Sequence, residues 1–371
     1  MKTVYILGAG FSAEAGAPTQ EELISEAFRL HALNSDHFDK DKFQLFEDFL
    51  LNQLNVPREN FDQVLLEDIF TPIDRCLSEG SQFRGVGLDK IIAVREAVFY
   101  IVGKTIQLLL AESTHDQSYI DTFAAYLTRL SSQRSDYQYN YRDPVSVIST
   151  NWDMLLDNSI KESIRKGGYE GVVDYCCYIS AKEKDDDSIK PGLEKLGQGG
   201  FNVKLLKLHG SLNWLQCQRC MRLYASFFTK VTMHNGDSPC SCRHCDNNFP
   251  EEKGNHLLVS NLIMPTFIKD LSNPQYKTIW QNAGIEISEA DKLVFIGYSL
   301  PSADFEMRQL LSRMTRRNAK IEVIGRFDKA VQQEQIEACQ KHWRSFFGSR
   351  EIEFTFSGAK DYIESLVIDK S

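Results

Sequence analysis

The sequence predicts an α/β protein: a doubly wound parallel sheet, interrupted by a helical insertion and by a small cysteine-rich module. Three observations carry that expectation. Short apolar or β-rich runs recur along the chain, several without polar alternates, as in strands covered on both faces. The last three runs alternate with helical patterns, a β-α-β-α-β-α order that implies a parallel sheet. Five of the nine cysteines crowd into positions 217 to 245.

Taken in order, the first run is Thr3–Leu7, which passes straight into the glycines of "LGAGFSAEAGAP". From about Glu21 to Asp143 several blocks show 3.6-residue periodicity and no convincing strand, so this stretch reads as inserted helices. Its most apolar part, "IIAVREAVFYIVGKTIQLLL" from Ile91, is broken by Arg95, Glu96 and Lys104 and so reads as a buried helix, not a membrane span. The polar run "SSQRSDYQYNYRDP" returns the chain to the sheet. Further strands are expected at Val145–Ser149, Lys204–Leu208, Leu258–Met264, Lys292–Ile296, Lys320–Ile324 and Glu351–Phe356. Helical patterns follow the last three, in "SADFEMRQLLSRMTRR", "DKAVQQEQIEACQKHWRSFF" and "AKDYIESLVI". The segment "AKEKDDDSIKPGLEKLGQGG" from Ala181 is charged and glycine-rich and reads as a surface loop. The expected parts are thus a sheet core of residues 1–20, 145–214 and 251–371, a helical insertion of 21–144, and a cysteine module of 215–250.

Composition excludes several classes. A chain of 371 residues with 42% hydrophobic and 25% charged residues has ordinary globular values. A net charge of −9 argues against non-specific nucleic-acid binding, and the run Arg313, Arg316, Arg317 reads as a solvated helix face. "MKTVYILGAG" is a buried strand and not a secretory signal, so a cytoplasmic protein is expected.

Gly8, Gly10 and Ala13 fit a loose G-x-G-x-x-G/A pattern after a buried strand, which lets backbone N–H groups approach a pyrophosphate. The core is therefore Rossmann-like, although a purely structural strand-to-helix turn is the alternative. No second strand ending in Asp or Glu follows about 20 residues on, as a dehydrogenase would show. Ser12, Gly16 and Pro18 instead extend the motif.

Cys217, Cys220, Cys242 and Cys245 give C-x2-C, 21 intervening residues, then C-x2-C, close to the spacing of a four-cysteine zinc site. Cys240 is a spare for Cys242, and His234 or His244 is a further substitute. Four thiolate ligands close the coordination sphere, so such a Zn2+ is structural and leaves His209 free for other work.

Polar groups concentrate where strands end. "VSVISTNWD" offers Ser149, Thr150, Asn151 and Asp153, "LLKLHGS" offers His209, Gly210 and Ser211, and "FIGYSLPSAD" offers Gly297 and Ser299. In doubly wound folds such groups meet Gly8–Ser12 in a crevice beyond the strands' carboxyl ends. Each also has a bland role: Thr150 or Asp153 as a helix cap, His209 as a structural histidine, and Trp152, Trp214 and Trp280 as packing.

The order GAG-x-S-x3-G-x-P, (S/T)-x-N-x-D, HG, C-x2-C…C-x2-C and G-x-S resembles the sirtuins, from residue 1 to about 325. "TNWD", "LHGS" and "IGYSLPSAD" are most similar to the prokaryotic sirtuin-like branch, many members of which hydrolyse NAD, often in anti-phage defence. The resemblance implies that Gly8, Ala9, Gly10 and Ser12 cradle NAD phosphates, and that Asn151 orients the nicotinamide ribose or the attacking water. It makes Asp153 the partner of the nicotinamide carboxamide and His209 a general base. Gly297 and Ser299 line the adenosine end, with a ribose contact around Gly325 and Arg326. Thr150 takes the place of the glutamine in the deacylase TQN motif, among the cofactor-binding residues.

Three departures separate the chain from protein deacylases: "PTQEEL" with Gln20 and Glu21 where Phe-Arg is expected, "STN" for TQN, and "LIMPTFIKDL" for the strand that carries F-G-E. "VIGRFD" also lacks the usual ribose-binding asparagine. The expected activity is that of an NAD+ glycohydrolase giving nicotinamide and ADP-ribose. The alternatives are an NAD-dependent deacylase and a non-catalytic NAD or ADP-ribose binder. Constitutive NAD loss is toxic, so control by homo-oligomer assembly or by a separate partner, by analogy a HerA-type ATPase, is expected.

Overall fold

The computed structural model describes all residues except 113, 134–142, 169, 185–188, 190–191, 228–239, 265, 268, 270, 328–332 and 369–371. Strand β1 (Thr3–Leu7) buries Val4 to Leu7 on both faces, which places it at the middle of a sheet. The other strands are β2 (Val145–Ser149), β3 (Gly171–Asp174), β4 (Ile179–Ala181), β5 (Phe201–Lys207), β6 (Trp214–Cys217), β7 (Leu223–Ala225), β8 (Leu258–Ser260), β9 (Lys292–Ile296), β10 (Lys320–Ile324) and β11 (Ile352–Thr355). Seven form a sheet of order β11-β10-β9-β1-β2-β5-β3, parallel throughout. The expected doubly wound α/β fold is the one observed. The order of winding reverses beside β1, with β2, β5 and β3 on one side and β9, β10 and β11 on the other.

A smaller sheet, β4-β7-β6-β8, carries the cysteines. The run Leu258–Met264, expected as a strand of the main sheet, differs. Only Leu258–Ser260 is extended, pairing antiparallel with β6 in the small sheet. Val259 is exposed, and a half-exposed strand suits an edge and not the centre of a parallel sheet. Leu262 and Met264 leave it to pack among the inserted helices.

Those helices, Leu23–Leu33, Lys40–Asp48, Leu66–Glu79 and Leu88–Glu112, enclose a second core rich in phenylalanine, including Phe43, Phe46, Phe49 and Phe70. The charge that interrupts the long apolar helix is paired: Arg95 Nε lies 2.7 Å from Asp74 Oδ1. Among the described residues no helix is long and apolar enough to cross a membrane. The helix Ser118–Ser132 falls inside the range read as the insertion, yet it packs on the sheet. Its Phe123 ring sits edge-on to Tyr5 at 5.0 Å, and Tyr119, Ile120 and Leu127 join the sheet's core. It is the crossover between β1 and β2.

Candidate functional site

The reversal beside β1 opens a crevice at the strands' carboxyl ends, where doubly wound folds bind ligands. Its floor is two loops in backbone contact. Gly8 N–H donates to Ile296 O at 3.1 Å and Gly10 N–H to Gly297 O at 3.0 Å. A Cβ on Gly8 would stand 2.6 Å from the Gly297 oxygen, and one on Gly297 would stand 2.2 Å from the Phe11 nitrogen. Gly297 also has a φ of +62°, which favours glycine. The glycines thus serve the structural turn, and by staying bare they expose the Gly8–Gly10 backbone to the crevice.

The end of β2 supplies the next wall. Thr150 anchors it, with both its N–H and its Oγ1 donating to Leu7 O, at 3.0 and 3.1 Å. Asn151 Nδ2 donates to Gly8 O at 2.9 Å and to Ser12 Oγ at 3.3 Å, which fixes the amide plane. Its Oδ1 is buried with no hydrogen-bond partner among the described residues. Ser12 is not a lining residue; it holds Asn151. Asp153 does cap locally, since its Oδ1 accepts Leu155 N–H at 3.1 Å. Burial pushes its carboxyl above the ordinary range, against the pull of Lys207 and of a Ser12 hydrogen bond. Beneath it, the buried Lys207 ammonium donates to the Asp153 carbonyl and lies 3.2 Å from Asp157 Oδ2, whose other oxygen accepts the Tyr175 hydroxyl at 2.8 Å.

His209, at the end of β5, is 7% exposed. Ile263 N–H donates to its carbonyl at 3.0 Å, and the Trp280 indole donates to the preceding carbonyl, that of Leu208, at 3.2 Å. Its Nε2 lies 3.4 Å from Asp304 Oδ1, an ion-pair distance short of hydrogen-bond geometry, and neither atom has a hydrogen-bond partner among the described residues. Asp304 is further engaged by the Tyr298 hydroxyl, 2.7 Å from Oδ2, and by the buried ammonium of Lys269, 3.2 Å from Oδ1.

These groups line one cavity of about 350 Å³, within the usual range for small-molecule sites. The sheet gives it Gly8, Ala9, Gly10, Thr150, Asn151, Asp153, His209, Gly297 and Ser299, all expected from the sequence. The inserted helices and the segment leading to them give the opposite wall, with Gln20, Glu21, Leu23, Leu65, Glu67 and Ile106. There Gln20 Nε2 donates to Glu67 Oε1 at 2.5 Å, and burial raises the Glu67 carboxyl above its ordinary range. Trp152 lines the cavity too, while its indole donates to Ile263 O at 3.2 Å, so it also packs as expected.

Gly325 and Arg326 do not line the cavity. Gly325 faces the rings of Phe327 and Phe356, and Arg326 is largely exposed, 3.7 Å from Glu14 Oε2. Sequence reasoning passed over Lys269, Tyr298 and Asp304. Asp304 ends the quoted run "SLPSAD" and Lys269 lies in "IMPTFIKDL", both within segments singled out for other reasons.

The cysteines settle their own alternatives. The Sγ atoms of Cys217, Cys220, Cys242 and Cys245 all lie within 4.8 Å of one another. The Cys217–Cys245 and Cys220–Cys242 separations are 3.8 and 3.7 Å. A tetrahedron with metal–sulfur bonds of about 2.3 Å has edges of about 3.8 Å, so the set fits zinc. Cys240 turns its thiol to the Ser241 carbonyl, and His244 shares its Nδ1 with the Asn248 amide. His234 lies outside the described residues. With four sulfurs the site is closed, and it ties β6 and β7 to the helix Arg243–Asn248.

No family model and no curated protein matches the chain. Solved structures similar to it include a Sir2 homolog–NAD complex, with a TM-score of 0.43 and 12% identity over 99% of this chain and 88% of that one. A mutant Sir2 homologue–ADP-ribose complex gives 0.40 and 15% over 99% and 91%, and a Sir2–p53 peptide–NAD+ complex gives 0.38 and 12% over 99% and 92%. Scores of this size leave the chemistry to be read from the chain's own residues.

Proposed function

We propose that this cavity binds NAD+ and that the protein hydrolyses its nicotinamide–ribose bond, giving nicotinamide, ADP-ribose and a proton. The observation that carries the reading is the pairing of Asn151 and His209. Both are buried in the wall of one cavity, both are held from behind by protein bonds, and Asn151 keeps its carbonyl oxygen unmatched among the described residues. A buried polar atom without a partner costs about 1–3 kcal/mol, and a ligand that supplies the partner recovers it.

Breaking the glycosidic bond leaves the ribose with oxocarbenium character, so positioning and charge decide the rate more than covalent chemistry does. The Asn151 carbonyl accepts from a ribose hydroxyl or from the attacking water. His209 takes the proton that the water releases as it adds. The bare backbone at Gly8–Gly10 receives the pyrophosphate. Asp153, raised by its burial, suits a contact to the nicotinamide carboxamide. The Gln20–Glu67 wall keeps bulk water from the reacting carbon. Zinc, when bound by the four thiolates, cross-links the module that follows His209 and supplies no open coordination position.

The resemblance to prokaryotic sirtuin-like proteins brings with it a cytoplasmic role in anti-phage defence. It also brings control through a homo-oligomer or through a separate HerA-type ATPase, which co-purification and sedimentation test.

Incubating purified protein with NAD+, with and without an acetyl-lysine peptide, tests the activity by chromatography of nicotinamide and ADP-ribose. Peptide-independent ADP-ribose that is lost in His209→Ala is the expected result. Acetylated ADP-ribose formed only with peptide replaces the hydrolase reading with a deacylase, and binding of NAD+ without product replaces it with a sensor.

A further inference from the structure

We propose that Asp304 is the positioning residue for His209: it receives Nε2–H, fixes that tautomer and leaves Nδ1 as the ring's basic nitrogen. The inference deepens the hydrolase reading and rests on it for the word basic, but its geometry stands apart. Asp304 is 4% exposed and occupies the N-cap position of the helix Phe305–Met314. An aspartate there ordinarily turns its carboxylate onto the helix's free N–H groups, a bond worth about 1 kcal/mol. Asp304 makes no such bond. Both oxygens point the other way, Oδ2 to the Tyr298 hydroxyl at 2.7 Å and Oδ1 to His209 Nε2 at 3.4 Å.

The second observation is the company Oδ1 keeps. Lys269 Nζ is 3.2 Å from it and also 3.2 Å from Glu306 Oε2, with a side chain only 1% exposed. Burial works to raise the Asp304 carboxyl, but His209, Lys269 and the Tyr298 hydroxyl outweigh burial and hold it well below the carboxylate range. The group beside Nε2 is therefore a carboxylate, able only to accept. A neutral imidazole has one donor nitrogen and one acceptor, so a fixed acceptor at Nε2 selects which nitrogen keeps its lone pair. The 3.4 Å separation is within reach of a hydrogen bond, and a small rotation of the imidazole that aims Nε2–H at Oδ1 makes it a charge-assisted one. Lys269, which also lines the cavity, helps to keep Asp304 charged.

The test is a long-range 1H–15N correlation spectrum of full-length, zinc-loaded protein labelled at histidine. His209 is assigned by its loss in His209→Ala, and turnover of NAD+ is measured in parallel. The Nε2–H form is expected in wild type and its preference is expected to be lost in Asp304→Asn. The kcat of that variant should fall about a thousandfold or more with KM nearly unchanged, the scale seen when an orienting carboxylate is disabled in other histidine sites. A wild-type Nδ1–H tautomer overturns the proposal, and that measurement needs no variant to fold. So does an Asp304→Asn protein that matches wild type in both tautomer and kcat. If the tautomer depends on Asp304 while wild type turns over no NAD+, the positioning role stands and the hydrolase reading falls. If wild type turns over NAD+ with the Nδ1–H tautomer, the hydrolase reading stands and the positioning role falls.

Discussion

At the amino end of the parallel sheet, Lys2 reaches Glu286 at 2.7 Å and Glu289 at 2.8 Å, and Lys204 reaches Glu286 at 2.6 Å as well as Asp143. Each of these buried or half-buried charges has an opposite charge in contact. At the carboxyl end the Asn151 carbonyl oxygen, a neutral acceptor in the cavity wall, is buried with neither a hydrogen bond nor a countercharge among the described residues, and His209 Nε2 has only the 3.4 Å contact to Asp304. Both ends are polar and both are buried, so burial of polar residues alone does not distinguish a site from a clasp. The state of their partners does. A closed set of countercharges has nothing left to offer a ligand, whereas an orphaned atom in a cavity wall keeps bonding capacity in reserve.

The largest effect expected from this contrast is on turnover. Asn151→Ala removes the orphaned carbonyl and should slow NAD+ cleavage about a hundred- to a thousandfold, the range for losing one oriented polar group at a reacting centre. Its thermal midpoint should stay close to wild type, because only the bonds to Gly8 and Ser12 are lost. Equal activity in wild type and variant, read as ADP-ribose formed per minute, would erase the distinction between the two ends.

The amino end should respond in stability and not in rate. Glu286→Gln leaves Lys2 and Lys204 with one acid each and is expected to lower stability by about 3 kcal/mol, seen as a reduced denaturant midpoint, with kcat/KM unchanged. The pH dependence sharpens it. Burial would raise the Glu286 carboxyl, yet the two lysines outweigh burial and hold it below its ordinary value. A carboxylate depressed in the folded state contributes stability that is present above its unfolded pKa, about 4.3, and lost as pH falls through the folded value. The gap between wild type and Glu286→Gln should therefore be widest near neutrality and close in acid.

The same contrast explains what was legible in the sequence. Strands β1, β2, β9 and β10 match the expected bounds, because strands buried on both faces are short runs dominated by Val, Ile and Leu. Strands β3, β6 and β7 have three or four residues each, set among charged or cysteine-rich stretches, and leave no period to read. At the site, Asn151 and His209 were legible because each ends such a run. Asp304 and Lys269 come from loops further on, which only the folded chain brings to His209. Gln20 was legible only as a departure from the deacylase motif, and Glu67 belongs to the inserted segment, where a polar residue at helical spacing reads as a solvated face. Gly325 and Arg326 failed to reach the cavity for a geometric reason. They follow β10, one strand spacing of about 4.8 Å beyond β9, and the Arg326 side chain is largely exposed, 3.7 Å from Glu14 Oε2.

The smallest effect lies at Asp153, where site and clasp meet. Its carboxylate lines the cavity, yet Lys207 and Asp157 lie beneath it as a buried pair. Burial dominates and raises its pKa. An acid raised in the folded state holds its proton longer there than in the unfolded chain, so its contribution is intact below the unfolded pKa, about 3.9. That contribution is lost as pH rises through the folded value. Near neutrality the ionised group is thus a cost to stability. Asp153→Asn keeps an oxygen for Leu155 N–H and removes the charge, so the thermal midpoint at pH 7 should rise by about 2 °C, the shift that about 1 kcal/mol gives a domain of this class, while turnover slows. The gain should shrink as pH falls, since wild type then takes up the proton itself. A drop in midpoint at pH 7 would mean that Lys207 stabilises the ionised form and that Asp153 belongs with the clasp.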